Sequence, residues 1–259
     1  MRRFWGLFIR EWQTYYKWLL STCIICIGVT VGIPVLIKKY IDASINQDST
    51  IFIMAIIVCI LSFLIVCFQF FTNLKHELQR VDIWLHTPAP FYELIGAKGF
   101  FSLLTSIILT LIMSIEAVIV ASTESDFSLL AQLEFIIGMI FFSISFLFSL
   151  LPLTLLMFSC YVKMKKWIGK LSIFTVLIIL FGIVYGLVKI TSSALYSKLF
   201  LTGKKSGGYI DNFIDPIVQV YDATLLVDDL YWREDLLNIF ISVLMIIVSV
   251  KWCKKVVTE

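Results

Sequence analysis

Six apolar runs constrain this chain more than any other feature. At 1.5 Å per residue a helix needs about 20 residues to cross roughly 30 Å of hydrocarbon. The runs at 18–37, 51–71, 99–121, 135–162, 171–190 and 236–252 meet or approach that length. Their weight shows in the composition: 60% of the 259 residues are hydrophobic and 15% are charged, where a soluble domain holds about 45–50% and about 25%. A segment inside a bilayer must satisfy its own backbone hydrogen bonds, which leaves helices as the means of crossing for runs of this length. The expected fold is an all-α polytopic membrane protein, one transmembrane domain over 1–259 with six transmembrane helices. The fourth run exceeds a straight crossing and contains Pro152, so it should tilt, kink or project. The sixth only just reaches across, unless it starts earlier, near Tyr231 and Trp232.

Three polar or amphipathic segments flank these runs. Residues 1–17 carry Phe4, Phe8, Trp12 and Tyr15 at helical spacing, with Arg3, Arg10, Gln13, Thr14 and Lys17 between them. That pattern predicts an interfacial helix lying flat among the headgroups. It is not a signal peptide, because the apolar run behind it is too long and no small-residue cleavage site follows. Residues 72–98 form the one interior polar stretch long enough to fold by itself. Its first half steps apolar residues at three and four (Leu74, Leu78, Val81, Leu85), which predicts an amphipathic helix. Pro88 and Pro90 then break it, and a new helix restarts at Pro90 and feeds the third run. Residues 191–235 hold a flexible Gly203–Gly208 stretch between apolar-patterned pieces, and read as short helices at or dipping into the outer leaflet, or as a small exterior cap.

Charge placement sets the orientation. The 21 basic and 18 acidic residues nearly cancel, which does not point to nucleic acid. Most of the basic residues lie before the first run, between the second and third, between the fourth and fifth, and after the sixth. Among them are Arg2, Arg3, Arg10, Lys163, Lys165, Lys166, Lys170, Lys254 and Lys255. The opposite loops carry Asp42, Asp48, Glu124, Asp126, Asp211, Asp215, Asp222, Asp228 and Asp229. Both termini and 72–98 are therefore expected on the cytoplasmic side of a multi-pass cell membrane, with the lipid bilayer as the chain's surroundings. No cysteine falls in an expected outer loop, so a disulfide framework is not expected. Cys23 and Cys26 share a redox spacing but sit inside an apolar run, and read as packing residues.

Motifs that would carry chemistry are incomplete. Gly203-Lys204 continues with Lys205, where a phosphate-binding loop requires Ser or Thr. His76-Glu77 opens a zinc-protease string, yet Arg80 stands where the second histidine belongs. Neither a catalytic set nor a metal-ligand set is visible, so the chain is not expected to be an enzyme or to bind a cofactor itself. Glu116 is the one clear acid within a run, near its outer end. It reads as a packing or rim residue, with a substrate or proton role as the alternative. Gly28/Gly32 and Gly182/Gly186 are spaced for close helix contact, within the chain or across a dimer.

Taken together, an amphipathic first helix, six spans, a helical loop between spans 2 and 3 and a structured outer loop between spans 5 and 6 resemble the permease subunit of bacterial ABC-2 type transporters. The string Trp84-Leu85-His86-Thr87-Pro88-Ala89-Pro90, followed by Leu94-Ile95-Gly96-Ala97-Lys98, looks like the corresponding loop of that family. The topological likeness covers essentially the whole chain. It implies a second copy or a similar permease as partner, with ATP and Mg held by separate ABC ATPase subunits. It also implies that the helix within 72–85 is the coupling helix that seats in the ATPase. Glu77, Leu78, Arg80, Asp82, Trp84 and Leu85 are the residues expected to meet it, the apolar ones as anchors and the charged ones setting register. The function expected on this resemblance is an ATP-driven exporter of an amphipathic peptide, drug or lipid-like molecule. The alternative is a membrane sensor, immunity factor or scaffold that transports nothing.

Overall fold

The computed structural model describes residues 2–40, 47–78, 91–124, 129–193 and 232–258, together with Tyr196 and Lys198. These residues form α1 (Arg2–Tyr40), α2 (Gln47–Leu78), α3 (Phe91–Glu124), α4 (Leu129–Ile168), a 3₁₀ turn (Gly169–Leu171), α5 (Ser172–Thr191) and α6 (Trp232–Thr258). No strand occurs among the described residues. Five of the helices, α1 to α5, are long and apolar enough to cross a membrane, whereas α6 carries a shorter apolar stretch, Leu236–Trp252. The described residues are thus all helix and short turn, and the length and composition of the helices are those of a multi-pass membrane protein.

α3 is described from Phe91 and α6 from Trp232, and the residues directly before each, Pro90 and Tyr231 among them, lie outside the described residues, so the helix starts expected there do too. α4 runs unbroken for 40 residues through Pro152. At 1.5 Å per residue that is about 60 Å, so it projects well beyond a bilayer core.

The first helix departs from expectation. Residues 2–17 do not form a separate interfacial helix; they are the first turns of α1, a continuous 39-residue helix. The expected aromatic spacing is there, but its partner is protein. Phe8 meets Phe100 edge-on at 5.4 Å, Phe4 meets the same ring at 6.0 Å, and Trp12 and Tyr15 meet Phe101 at 6.2 and 6.1 Å. The first three of these pairs are edge-to-face, an arrangement that stabilises by about 0.5–1.5 kcal/mol each, whereas the Tyr15 and Phe101 rings are tilted at 42°. With α3 filling that face and no proline before Pro34, nothing turns the helix into the membrane plane.

The most extensive helix contact is that between α2 and α3. On α3 the small residues Ser102, Thr105, Ser106, Thr110, Ser114 and Ala117 are all buried. In a bilayer, lipid is as apolar as leucine, so helices associate through close backbone approach and hydrogen bonds, and small side chains permit both. Thr105 and Ser114 donate to carbonyls of their own helix at 2.9 and 2.7 Å, and Ser106 and Ser143 share a 3.0 Å hydrogen bond between α3 and α4. The main core lies between these helices. Leu19, Cys23 and Cys26 of α1 pack with Cys59, Phe63 and Val66 of α2, Leu109 and Met113 of α3, and Leu147 of α4. Cys23 and Cys26 are buried free thiols there, packing residues as their apolar setting implied. A second cluster, Phe70, Leu74, Ile95, Leu155 and Phe158, holds α2, α3 and α4 together and has Val250 of α6 packed against it.

Candidate functional site

The polar centre of the molecule sits where the first turns of α1, the last turns of α2 and the first turns of α3 converge. α1 contributes Arg10 and Glu11, α2 contributes Glu77, and α3 contributes Lys98. Arg10 Nη2 donates to Glu77 Oε1 at 2.7 Å and to Glu11 Oε1 at 3.2 Å. Lys98 Nζ donates to Glu11 Oε1 at 2.9 Å and also pairs with Glu77 Oε2. Two cations and two carboxylates therefore alternate around one point, and the Lys98–Glu11 pair is withdrawn from solvent. Taking such charges out of water costs several kcal/mol per ion, which their mutual attraction offsets only when the geometry is good. The arrangement ties three helices together at one end of the bundle.

A cleft of about 490 Å³ opens beside the charges. Its walls include Arg10, Glu11, Gln69, Asn73, Glu77 and Lys98, with Trp18 and Phe68 toward its apolar end. Glu11, Gln69 and Asn73 are only 4%, 4% and 1% exposed. Glu11 Oε2, both amide atoms of Gln69 and Nδ2 of Asn73 have no hydrogen-bond partner among the described residues. A buried polar group left so costs about 1–3 kcal/mol, and four such atoms lie in one cleft. α2 reaches this cleft with Gln69, Asn73 and Glu77, spaced by four on one helical face.

The residues expected to couple to an ATPase divide. Glu77 turns inward: its carboxylate is taken up by Arg10 and Lys98. The part of the expected helix within 72–85 that is described, up to Leu78, continues α2 without a break. Arg80, Asp82, Trp84 and Leu85 lie outside the described residues. So does nearly all of the outer segment 191–235.

Glu116 and the glycines lie elsewhere. Thr30 Oγ1 lies 2.7 and 2.8 Å from the two carboxylate oxygens of Glu116, between which its single O–H is shared, linking α1 to α3 near the other end of the bundle. That geometry fits the packing reading of Glu116. A Cβ added at Gly28, Gly32, Gly182 or Gly186 would meet nothing within 4 Å. Among the described residues nothing closes on these four positions, and the expected contact between chains stands as an expectation.

Glu11, Lys98, Gln69, Asn73 and Thr30 were not singled out from sequence. One signal for α2 was present: Gln69, Asn73 and Glu77 repeat at four-residue intervals on one face at the end of its apolar run. Among the described residues no group of His, Cys, Asp and Glu is arranged to hold a metal ion. Compared with family models, curated proteins and solved structures, the chain matches none.

Proposed function

We propose that this chain is the permease subunit of an ATP-driven ABC-2 type exporter, pairing with a second permease and with separate ATPase subunits that hold ATP and Mg. Its cargo would be an amphipathic peptide, a drug or a lipid-like molecule, moved across a bacterial cell membrane. The observation that carries this reading is the charge cluster around the connection from α2 to α3. A partner that hydrolyses ATP outside the membrane must push on something stiff. The stretch that looks like the family's coupling loop runs from the end of α2, where Glu77 sits, into the first turns of α3, whose eighth residue is Lys98. Glu77 and Lys98 are both locked to α1 through Arg10 and Glu11. A displacement of the loop would then move three helices together and not be absorbed at a flexible joint.

The test is purification of the chain from its native membrane and a search for a co-purifying stand-alone ATPase, followed by substrate-stimulated ATP hydrolysis of the complex. In this reading Trp84 is an apolar anchor and Arg80 a rim charge. Trp84→Ala should weaken docking by about 2 kcal/mol or more, roughly a thirtyfold loss of affinity. Arg80→Glu should weaken it in a salt-dependent way. Undiminished capture and turnover in both variants would remove the loop from the mechanism.

A further inference from the structure

The internal contacts of the cleft use some bonding capacity and leave the rest. Glu77 commits both carboxylate oxygens, one to Arg10 and one to Lys98. Glu11 commits only Oε1, which receives both cations, and its Oε2 is buried without a partner. Gln69 has both amide atoms unused and Asn73 its amide nitrogen. What remains is an anionic acceptor, an amide acceptor, two amide donors and the free N–H groups of Arg10, which is partly exposed.

The charges of the four ionic residues cancel, so the cluster as a whole does not favour a simple anion or cation. A zwitterion is different. Its ammonium can donate to Glu11 Oε2 and Gln69 Oε1, and its phosphate can accept from Gln69 Nε2, Asn73 Nδ2 and Arg10. The position in the chain adds a second constraint. Gln69 and Asn73 straddle the end of the apolar run 51–71, and Lys98 immediately precedes the run 99–121, which is headgroup depth. Phe68 is largely exposed at the same cleft and Trp18 lines it, which offers an apolar margin along which acyl chains can lie. A volume of about 490 Å³ falls in the range of small-ligand sites.

We propose that this cleft binds a zwitterionic headgroup carrying a primary ammonium and a phosphate, that of a phosphatidylethanolamine-type lipid. The inference does not rest on the exporter reading. Phosphatidylcholine differs in having no N–H to donate to Glu11, and phosphatidylglycerol in having no cation.

The full chain, purified in detergent, is offered each lipid with matched acyl chains, and bound lipid is counted by native mass spectrometry. Phosphatidylethanolamine should be retained about fivefold or more better than the other two, the scale of one lost hydrogen bond. Gln69→Leu and Asn73→Leu should each bring its retention down to the phosphatidylcholine level, while helical content and melting in lipid-free detergent hold or rise. Soluble phosphoethanolamine should compete only at far higher concentration than the lipid. Equal retention of the three lipids, unchanged retention in both variants, or a soluble headgroup that binds as tightly as the lipid would each overturn the proposal.

Discussion

Lys98 Nζ lies 2.9 Å from Glu11 Oε1 across 87 positions of sequence, and both side chains are almost fully buried. The pair fixes how α3 enters the bundle beside α1. Breaking a buried pair by removing one partner costs about 3–5 kcal/mol, because a charge is left uncompensated. Lys98→Met should therefore lower the melting midpoint of the purified protein markedly. Combining it with Glu11→Leu should restore much of the loss, because Glu77 keeps Arg10 and no lone buried charge remains. A double variant no better than Lys98→Met alone would show that the two charges do not depend on each other.

At the other end of the bundle, Thr30 joins α1 to α3 by donating to Glu116. Thr30→Val keeps the shape and removes the donor. A hydrogen bond to a charged group contributes about 1.5–3 kcal/mol, and loss of stability in that range is expected by thermal or denaturant unfolding in detergent. Repeating Thr30→Val in a Glu116→Leu background should cost far less. Equal losses in both backgrounds would place the effect in α1 alone.

Glycines should separate into two groups. Gly28 and Gly182 face open space, so Gly28→Leu and Gly182→Leu should leave the monomer folded and weaken self-association, read by crosslinking or analytical ultracentrifugation. Gly169 is different: its φ of +63° places it in the left-handed region. Gly169→Ala should destabilise by about 1–2 kcal/mol, whereas Gly186→Ala, in a helix, should stabilise by up to about 1 kcal/mol. The same midpoint for Gly169→Ala and the parent would mean that the turn between α4 and α5 rearranges freely.

Orientation is open to direct chemistry. In a cysteine-free background, single cysteines at Ser125 or Gly207 should react with an impermeant reagent in intact cells, and those at Gln79 or Gly169 should react only after lysis. Labelling at Gln79 in intact cells would reverse the charge-based orientation.

Helix positions were legible along the chain because hydrocarbon thickness sets a length, and a run of apolar residues either reaches it or does not. The fate of residues 2–17 was another matter. An aromatic stripe has the same spacing whether it faces lipid or protein, and only the arrival of Phe100 and Phe101 from α3 decided between a flat helix and a continuation of α1. The same holds for the charges. Counted singly, they indicate a side of the membrane; Glu77 looked like an outward contact until packing brought Arg10 and Lys98 against it. Gln69, Asn73 and Glu77 already formed a polar line on α2, readable from their four-residue spacing. That Glu11 and Lys98 complete it was set by how α1 and α3 pack, because Coulomb attraction and hydrogen bonding depend on separation in space and not along the chain.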